Sequence, residues 1–324
     1  MISRRMSFLT ALALAVLAGP PSVLAQSWPT KPVTLVVSYP AGGDTDAVAR
    51  LCAEKLSTRL GQPVIVDNRP GASGMIGDKA VANAANDGYT LLFTPSQFAS
   101  AHHVVKSTTV ARDPVADFTP IIEAGYISLV LVTSPSSGIK DIKQIVTDAK
   151  NGRALTYGSP GTGSPMQFVG EMLNKAAGTK LSHVAYRGVA PSVVDALGGH
   201  IPLVWATPGT VIQHIQSGRL VALAVSDPVR SKLFPNVPTL LEAGYPVVLK
   251  AWLGLLGPKG LSPEIVRVVN THMNEIIGMP DVQSKMASLG VLPEGGTPAK
   301  FAQAIAEDDQ KFSVMAKEFA IRAD

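Results

Sequence analysis

The sequence predicts an α/β protein of two lobes, each built on a mostly parallel sheet flanked by helices. Short runs of β-branched residues alternate with segments of helical spacing along most of the chain. A strand, a glycine-rich turn and a helix follow one another twice, at 33–60 and again at 154–177. The roughly 300 residues after the N-terminal segment exceed what one hydrophobic core usually holds, which favours two lobes.

The N-terminal segment has the pattern of a secretory signal peptide. Arg4 and Arg5 form a basic region, the apolar run FLTALALAVLA follows at 8–18, and small side chains precede a cleavage position at Ala25. The apolar run is shorter than the about 20 residues that a membrane-spanning helix needs. We therefore expect cleavage near Ala25, export by the Sec route in preference to the twin-arginine route, and a periplasmic mature protein.

In the first region, β-branched runs predict strands, and apolar residues three or four positions apart predict helices. The run VTLVVSYP is typical of a strand, and Val48, Leu51 and Leu56 have helical spacing. The predicted elements are a strand at 33–40, a helix at 44–60, a strand at 62–68, a short helix near 78–85 and a strand at 89–96. Successive strand–helix units favour parallel strands, because parallel neighbours need a crossover connection between them.

The rest of the chain continues this alternation. Helices are predicted at 139–152, 165–177, 190–198, 262–277, 280–288 and 297–320, and strands within 118–136, 154–165, 181–188, 200–211, 220–227 and 250–260. We expect the chain to cross between lobes near 126–135 and 220–230. The first lobe is then 26–126 plus about 228–324, the second is about 127–227, and the C-terminal helices could pack on either lobe.

The loop YPAGGDTD, at 39–46, is the first candidate binding feature. Gly42 and Gly43 allow a close approach of the backbone to a ligand, and Asp44 or Thr45 can cap the helix. The N–H groups of a first helical turn have no partner in the helix, and with the helix dipole they favour an anion such as a carboxylate. The alternative is an ordinary strand–helix turn, with its two aspartates capping the helix and complementing its dipole.

Two further glycine-rich turns follow predicted strands. GSPGTGS, at 158–164, combines three glycines with the hydroxyl groups of Thr162 and Ser164, and PGASG offers the N–H groups of Ala72 and Ser73. The turn at 158–164 lacks the third glycine of the dinucleotide-binding pattern, so we do not expect a dinucleotide. Because open α/β sheets bind ligands beyond the carboxyl ends of their strands, the three turns predict a ring of neutral donors around a cleft.

Composition argues against several other classes of function. Without Arg4 and Arg5, the 28 basic residues become 26 against 24 acidic ones, a net charge near +2, so we expect no nucleic-acid partner. Cys52 is the only cysteine, which excludes an internal disulfide. Zinc, P-loop and nucleophile-elbow motifs are absent, and the adjacent His102 and His103 are expected in a loop or at the surface. We predict no metal, no cofactor and no enzymatic activity.

Six stretches carry a more specific pattern. They are WPTKPVTLVVSYPAGGDTDAVARLCAEKL, LGQPVIVDNRPGASGMIG, DGYTLL, LTYGSPGTGSPMQ, HVAYRGVAPSVVDALGGH and DVQSKMASLG, and together they cover nearly the whole mature chain in order. These stretches resemble the Bug/TctC family, the periplasmic solute receptors of tripartite tricarboxylate transporters. The resemblance implies a type II-like periplasmic-binding-protein fold that holds a small organic carboxylate, or its amide, between two lobes.

The resemblance also implies which residues form the site. The loop from Tyr39 to Asp46 would hold one carboxylate through backbone N–H groups and ordered waters. The implied ligand-binding residues are Tyr39, Ala41, Gly42, Gly43, Asp44, Thr45, Asp46, Ala72, Ser73, Thr94 and Ser96 in the first lobe, and Gly161, Thr162, Gly163, Ser164, Gln167, Tyr186, Arg187, Gly188, Ala206 and Thr207 in the second. Many relatives carry an Asp-Asn or similar pair where this chain has Ala206-Thr207, so a ligand ammonium group is not expected. Aromatic surface from Tyr39 and Trp205 favours a small aromatic or otherwise largely apolar carboxylate.

Three functions remain open at this point. The resemblance implies a monomeric extracytoplasmic receptor that presents its ligand to the membrane subunits of a tripartite tricarboxylate-type transporter. A sensory module with the same ligand, docking on a signalling protein, is the second. A serine hydrolase is the third; it would need a base beside Ser73 or Ser164, and the sequence offers none nearby.

Overall fold

The computed structural model describes residues 28–107 and 109–323. The signal peptide predicted for 1–25 lies outside these residues. Within the described ranges, no helix combines the length and the apolar character needed to cross a bilayer.

The first lobe is built on six of the described strands. They are β1 (Val33–Val37), β2 (Val64–Asn68), β3 (Thr90–Pro95), β4 (Phe118–Ile127), β10 (Ala251–Pro258) and β11 (Val291–Pro293), in the order β11-β4-β10-β3-β1-β2. Strand β1 pairs in parallel with β2 and β3, whereas β10 pairs antiparallel with β3 and β4. The helices of this lobe are α1 (Asp44–Leu60), α2 (Met75–Ala82), α3 (Gln97–Val104), α8 (Pro263–Ile277), α9 (Pro280–Ser288) and α10 (Pro298–Glu318).

The second lobe is built on five described strands. They are β5 (Val130–Thr133), β6 (Thr156–Ser159), β7 (Ser182–Ala185), β8 (Leu203–Ala206) and β9 (Val221–Val225), in the order β7-β6-β8-β5-β9. Strand β6 pairs in parallel with β7 and β8, and β5 pairs antiparallel with β8 and β9. The helices are α4 (Ile142–Lys150), α5 (Pro165–Ala177), α6 (Val189–Leu197) and α7 (Pro208–Gln216).

The two sheets have the same topology, which confirms the predicted two-lobed α/β fold. Strands β2, β1, β3, β10 and β4 of the first sheet correspond in position to β7, β6, β8, β5 and β9 of the second. In each of these five-strand arrangements, the antiparallel strand is the one that arrives from the other lobe. The first sheet has in addition the edge strand β11, which pairs antiparallel with β4. The turn between β1 and α1 therefore corresponds in position to the turn between β6 and α5. These are the two glycine-rich turns that follow a predicted strand and precede a predicted helix in the sequence.

The hydrophobic core continues from one lobe into the other. Cys52 lies on the buried face of α1 with Val48 and Leu56, as its spacing predicts. Phe312 of α10 and Phe168 of α5 are both fully buried, with ring centroids 4.7 Å apart. Helix α10 therefore packs against both lobes.

Some predicted elements differ from the structure. The single segment predicted at 118–136 is two strands in different sheets, since the chain changes lobe between Ile127 and Val130. Helices α3 and α7 were not predicted, because α3 is buried on most sides and shows little periodicity, and α7 opens with Pro-Gly, which indicates a turn. How residues 226–250 divide between the lobes stays a prediction.

Candidate functional site

The loop between β1 and α1 is held in shape by the carboxylate of Asp46. It accepts hydrogen bonds from the Gly42 N–H at 2.8 Å, from Arg50 Nε at 3.0 Å and from Asn68 Nδ2 at 2.9 Å. Burial alone would raise the pKa of Asp46, but these hydrogen bonds hold it below its usual value. Both Asp46 and the Gly42 amide are thus occupied within the loop, and their predicted contact with a ligand stays a prediction.

The same loop leaves several donors without a partner. Helix α1 begins after Gly43, which provides no side-chain cap, so the expected capping by Asp44 or Thr45 does not occur. The first helical hydrogen bond runs from the Ala47 N–H to the Gly43 carbonyl. Among the described residues, the N–H groups of Asp44, Thr45 and Asp46 have no acceptor. Ala41, Gly42 and Gly43 are exposed, so solvent or a small anion can approach this helix end.

The corresponding turn in the second lobe is closed upon itself. Gln167 Oε1 accepts from the Gly163 N–H at 2.8 Å, and Ser164 Oγ accepts from the Gln167 N–H at 3.3 Å. Ser164 also donates to Ser159 Oγ, which in turn accepts from the Gly161 N–H. The prediction that Gly161, Gly163, Ser164 and Gln167 direct donors at a ligand is therefore not supported by their hydrogen bonds.

The third glycine-rich turn lies beside the first. Ala72 and Ser73 have φ values of 47° and 55°, an uncommon conformation for residues with a Cβ and one that often marks functional loops. Tyr39 Oη donates to the Ser73 carbonyl at 3.3 Å, and the N–H groups of Ala72 and Ser73 have no acceptor in the described part of the chain. These two amides remain available, as predicted.

Thr94 and Ser96, which the resemblance implies as ligand-binding residues, are both buried. Thr94 is 1% exposed, and its hydroxyl faces Asp78 at 3.4 Å, inside a buried cluster that includes the Asp78–Arg112 ion pair. Ser96 is fully buried, and its hydroxyl has no partner among the described residues. Neither side chain reaches the surface of the cleft.

Helix α3 connects the lobes on one side of the cleft. Gln97 Oε1 accepts from Tyr39 Oη at 2.7 Å, and its Nε2 lies 3.5 Å from the Thr162 carbonyl. Ser100 Oγ donates to the Gly163 carbonyl at 2.7 Å. A Cβ at Gly163 would lie 2.3 Å from Val104, so the lobes are in close contact here. Sequence reasoning missed Gln97 and Ser100 because it did not predict their helix.

The N-terminal ends of α1 and α7 meet on the other side of the cleft. Thr207, which precedes α7, donates from Oγ1 to Asp44 Oδ2 at 2.5 Å. Burial raises the pKa of Asp44, although the Thr207 hydrogen bond acts in the opposite direction. A Cβ at Gly209 would lie 2.4 Å from the Leu289 carbonyl of the first lobe. Asp44 and Thr207 thus join the two lobes by a hydrogen bond, and their predicted contact with a ligand stays a prediction.

Of the remaining predicted residues of the second lobe, some are exposed and others are buried. Tyr186 donates from its hydroxyl to Asp195 at 2.7 Å, and burial raises its pKa to about 12. Arg187 is exposed, and Gly188 precedes α6 with no side-chain cap. Ala206 is fully buried. Trp205 is 1% exposed, so the prediction that it presents aromatic surface to a ligand is wrong.

One histidine lies near the serines considered for hydrolysis. His183 Nε2 is 2.6 Å from Ser159 Oγ, and Ser159 Oγ accepts from Ser164 at 3.2 Å. No sequence pattern indicated this pair, because His183 is on the neighbouring strand β7. Both serines are fully buried, and burial lowers the pKa of His183 to about 4. A buried hydroxyl of this kind is not accessible to a substrate.

Helix α3 also carries His102 and His103 in its last turn. They were expected in a loop or at the surface, but both are half-buried, and Nε2 of each lies 2.9 Å from Asp309 Oδ1 of α10. Their approach depends on a helix missed by the sequence analysis and on a residue some 200 positions away. Both imidazoles therefore face one carboxylate oxygen, which their adjacency in the sequence did not indicate.

A family model and several known proteins match most of the chain. Residues 48–321 match the family model described as the tripartite tricarboxylate transporter family receptor. The chain is 34% identical over 309 residues to the protein BugT of Bordetella pertussis, covering 95% of this chain and 94% of the relative. It is 36% identical over 279 residues to a UPF0065 protein of Bordetella bronchiseptica, with 86% and 82% covered.

Solved structures resemble the whole described chain. A structure described as a periplasmic transporter has a TM-score of 0.84 at 33% identity, over 92% of this chain and 100% of that one. An R. palustris protein solved with adipate has a TM-score of 0.84 at 30% identity, over 91% and 99%. MatC from Rhodopseudomonas palustris, solved with bound malate, has a TM-score of 0.80 at 27% identity, over 89% and 99%.

Proposed function

Since the chain belongs to the tripartite tricarboxylate transporter receptor family, we propose that it captures a small organic carboxylate in the cleft between its lobes. One observation carries the proposal: the N–H groups of Asp44, Thr45 and Asp46 at the start of α1 are without acceptors among the described residues. They lie in a loop whose shape is fixed by internal hydrogen bonds, so little reorganisation is needed on binding. We propose that one ligand carboxylate accepts from these amides.

The loop offers uncharged donors, which suits an anion that is bound reversibly. A carboxylate held by neutral main-chain dipoles and a helix N-terminus gains charge-assisted hydrogen bonds without a buried ion pair. Such a site can therefore bind and release a solute without breaking a buried salt bridge. The relatives solved with adipate and with malate both hold dicarboxylates, which supports small dicarboxylates as the first ligands to test. Burial of Trp205 removes one of the two aromatic side chains on which the preference for aromatic acids rested, whereas Tyr39 is half-buried.

Closure of the lobes on the ligand would form the state that membrane subunits recognise. Contacts of Gln97 and Ser100 with the second lobe, and of Asp44 with Thr207, show that the lobes can meet on both sides of the first loop. We propose a periplasmic location after signal-peptide removal and delivery to a tripartite tricarboxylate-type transporter. A sensory partner with the same ligand stays an alternative, since binding and closure would serve either partner.

Thermal unfolding in the presence of candidate acids tests the proposal. We expect malate or adipate to raise the melting temperature, because a ligand of the folded state stabilises it by about 2.7 kcal/mol at 100 times its dissociation constant. The diamide of the same acid is the matched control, since it keeps the shape and loses the charge. Absence of any shift across a panel of mono- and dicarboxylates, in protein shown to be free of carried-over ligand, would contradict the proposal.

Hydrolysis is tested by assaying the same protein preparation for esterase activity. The Ser159–His183 pair is the observation that favours this second function, but both serines of its network are fully buried. We expect no turnover of nitrophenyl esters above that of a Ser159→Ala variant. Turnover by the parent protein that is lost in Ser159→Ala would reinstate an enzymatic role.

A further inference from the structure

A cluster of three potential metal ligands lies outside the carboxylate site, where α3 packs against α10. Nε2 of His102 and Nε2 of His103 are each 2.9 Å from Oδ1 of Asp309. The three residues can each offer one ligand atom, and these atoms lie within 4.8 Å of one another. We propose that His102, His103 and Asp309 bind one divalent transition-metal ion, with Zn²⁺ as the representative ion.

The donor set fits this class of metal. Imidazole nitrogen favours zinc, copper and nickel, whereas magnesium and calcium prefer sites made only of oxygen ligands. Two imidazoles and one carboxylate form a three-ligand set of the kind that leaves a fourth position of zinc open. Magnesium is therefore the ion that the site should reject.

The distances require only a small movement on binding. Ligand atoms about 2.0–2.1 Å from a tetrahedral zinc ion are about 3.3 Å apart. The two nitrogen–oxygen distances of 2.9 Å would thus have to lengthen by about 0.4 Å, which rotation of the side chains can supply. The two rings are close, with centroids 3.8 Å apart, and Nε2 of each faces the same carboxylate oxygen.

The backbone around the cluster is well fixed. The Ala323 N–H donates to the Val104 carbonyl at 3.0 Å, which joins the end of α3 to the segment that follows α10. His102 and His103 side chains are each 19% exposed, and that of Asp309 is 28% exposed. The ligands are therefore held on packed elements but can be reached from solvent.

The surrounding charge indicates what completes the coordination. A cavity of about 220 Å³ is lined by His103 and by the basic residues Lys106, Lys317 and Arg322. These cations would favour a negatively charged ligand, such as hydroxide or chloride, in the open position of the metal. Such a ligand offsets the charge that a divalent ion brings to a site with one carboxylate.

Metal binding is tested on the mature, untagged protein, first stripped with a chelator. We expect equilibrium dialysis to give one Zn²⁺ per chain with a dissociation constant on the order of 1 µM or tighter, and no competition from Mg²⁺. Co²⁺ in place of Zn²⁺ should give the visible absorption of a low-coordinate nitrogen–oxygen site. This experiment needs no carboxylate ligand, so its result is independent of the proposed transport function.

Three variants distinguish the site from general histidine binding. His103→Gln and Asp309→Asn should each weaken Zn²⁺ binding by more than about tenfold, since even outer-sphere partners of a metal contribute that much. His272→Gln is the matched control, because His272 also lies beside a carboxylate, that of Glu275, but has no second histidine in that ion pair. We expect it to bind as the parent does. If the parent binds no Zn²⁺, or if both site variants keep its affinity while their thermal unfolding shows them folded, the proposal is wrong.

Discussion

The two lobes share a topology and a glycine-rich turn, yet their helix starts differ in the N–H groups that have no acceptor among the described residues. In the first lobe these are the N–H groups of Asp44, Thr45 and Asp46, whereas of the three corresponding positions in the second lobe only Met166 has such a group. In both turns the third helical residue accepts from the N–H four positions before it: Asp46 from Gly42, and Gln167 from Gly163. In the second lobe, Ser164 caps the helix and Pro165 lacks an N–H altogether. In the first lobe, Gly43 provides no cap, and Asp44 keeps its N–H.

The comparison shows that glycine content alone does not identify an anion site. Glycines give both turns their shape, but the residues at the N-cap and at the first helical position decide whether donors stay free. The second turn instead provides the carbonyl groups that α3 contacts across the cleft. One lobe binds the anion in this account, and the other closes over it.

The largest effect on carboxylate affinity is expected when Asp44, the first residue of α1, is replaced by proline, the residue that begins α5 at position 165. Asp44→Pro removes one free N–H, and Gly43, at φ −83° and ψ 171°, already has the extended conformation that a following proline requires. We expect carboxylate affinity to fall by about 1.5–3 kcal/mol, the usual contribution of a hydrogen bond to a charged group. Isothermal titration with the best acid of the thermal screen measures the change.

Asp44→Ala is the control for that substitution, because it removes the carboxylate and the Thr207 contact but keeps the N–H. It should bind more tightly than Asp44→Pro, since it keeps the N–H group. Relative to the parent, loss of a like charge near the ligand and loss of the Thr207 contact act in opposite directions. The reverse change, Pro165→Ala, should leave affinity unchanged. Equal affinities of Asp44→Pro and Asp44→Ala would break the comparison.

Closure by the second lobe is tested at Gly209. Gly209→Ala places a Cβ 2.4 Å from the Leu289 carbonyl of the opposite lobe, at a position where alanine suits the helix. We expect weaker ligand binding by about 1–3 kcal/mol, the usual range for overpacking, with little loss of secondary structure. Gly278→Ala, whose Cβ would meet only its own helix at 3.3 Å, is the control. Parent-like affinity in a folded Gly209→Ala would show that this contact is absent from the bound state.

Ser164→Ala separates stability from binding in the second turn. Loss of the cap should lower the free energy of unfolding by about 1 kcal/mol. Carboxylate affinity should not change, because Ser164 is fully buried and bonded within its own turn. Denaturant unfolding and titration on the same sample measure both quantities. A large loss of affinity with unchanged stability would place the second turn in the site.

The smallest effect is expected at the connection between the lobes, which belongs to neither turn. Asp227 is 3% exposed, and burial raises the pKa of its carboxyl group, although Ser128 and Lys250 act in the opposite direction. A raised pKa means that ionisation destabilises the folded state as pH rises through that value. Asp227→Asn should therefore raise the melting temperature at pH 7 by roughly 2 °C, and the gain should vanish near pH 3. A gain that is equal at both pH values would show that charge is not its cause.

The sequence predicted the fold better than the details of the site. Alternating strand and helix patterns identified both sheets, because burial of one face imposes a period that is visible in the residues. The free amides of the first turn followed from the absence of a helical partner, which any helix start implies. The bonding of Gly163 to Gln167, the burial of Trp205 and the approach of His102 to Asp309 depend on tertiary packing, which no local pattern records.

Helix α3 shows the same limit most clearly. Its residues are buried on most sides, so apolar periodicity is weak and does not predict a helix over 97–104. For this reason the lobe contacts of Gln97 and Ser100 were not predicted. For the same reason the two histidines were expected in a loop or at the surface. The signal that could have found it was Pro95-Ser96 before a run free of glycine and proline.

A crystal structure with a bound dicarboxylate tests the central claim most directly. We expect one carboxylate oxygen pair about 2.7–3.2 Å from the N–H nitrogens of Asp44, Thr45 or Asp46, with the second lobe closed over it. A carboxylate held instead by the exposed Arg187 or by the turn at 158–164, with the amides of α1 facing only water, would contradict it.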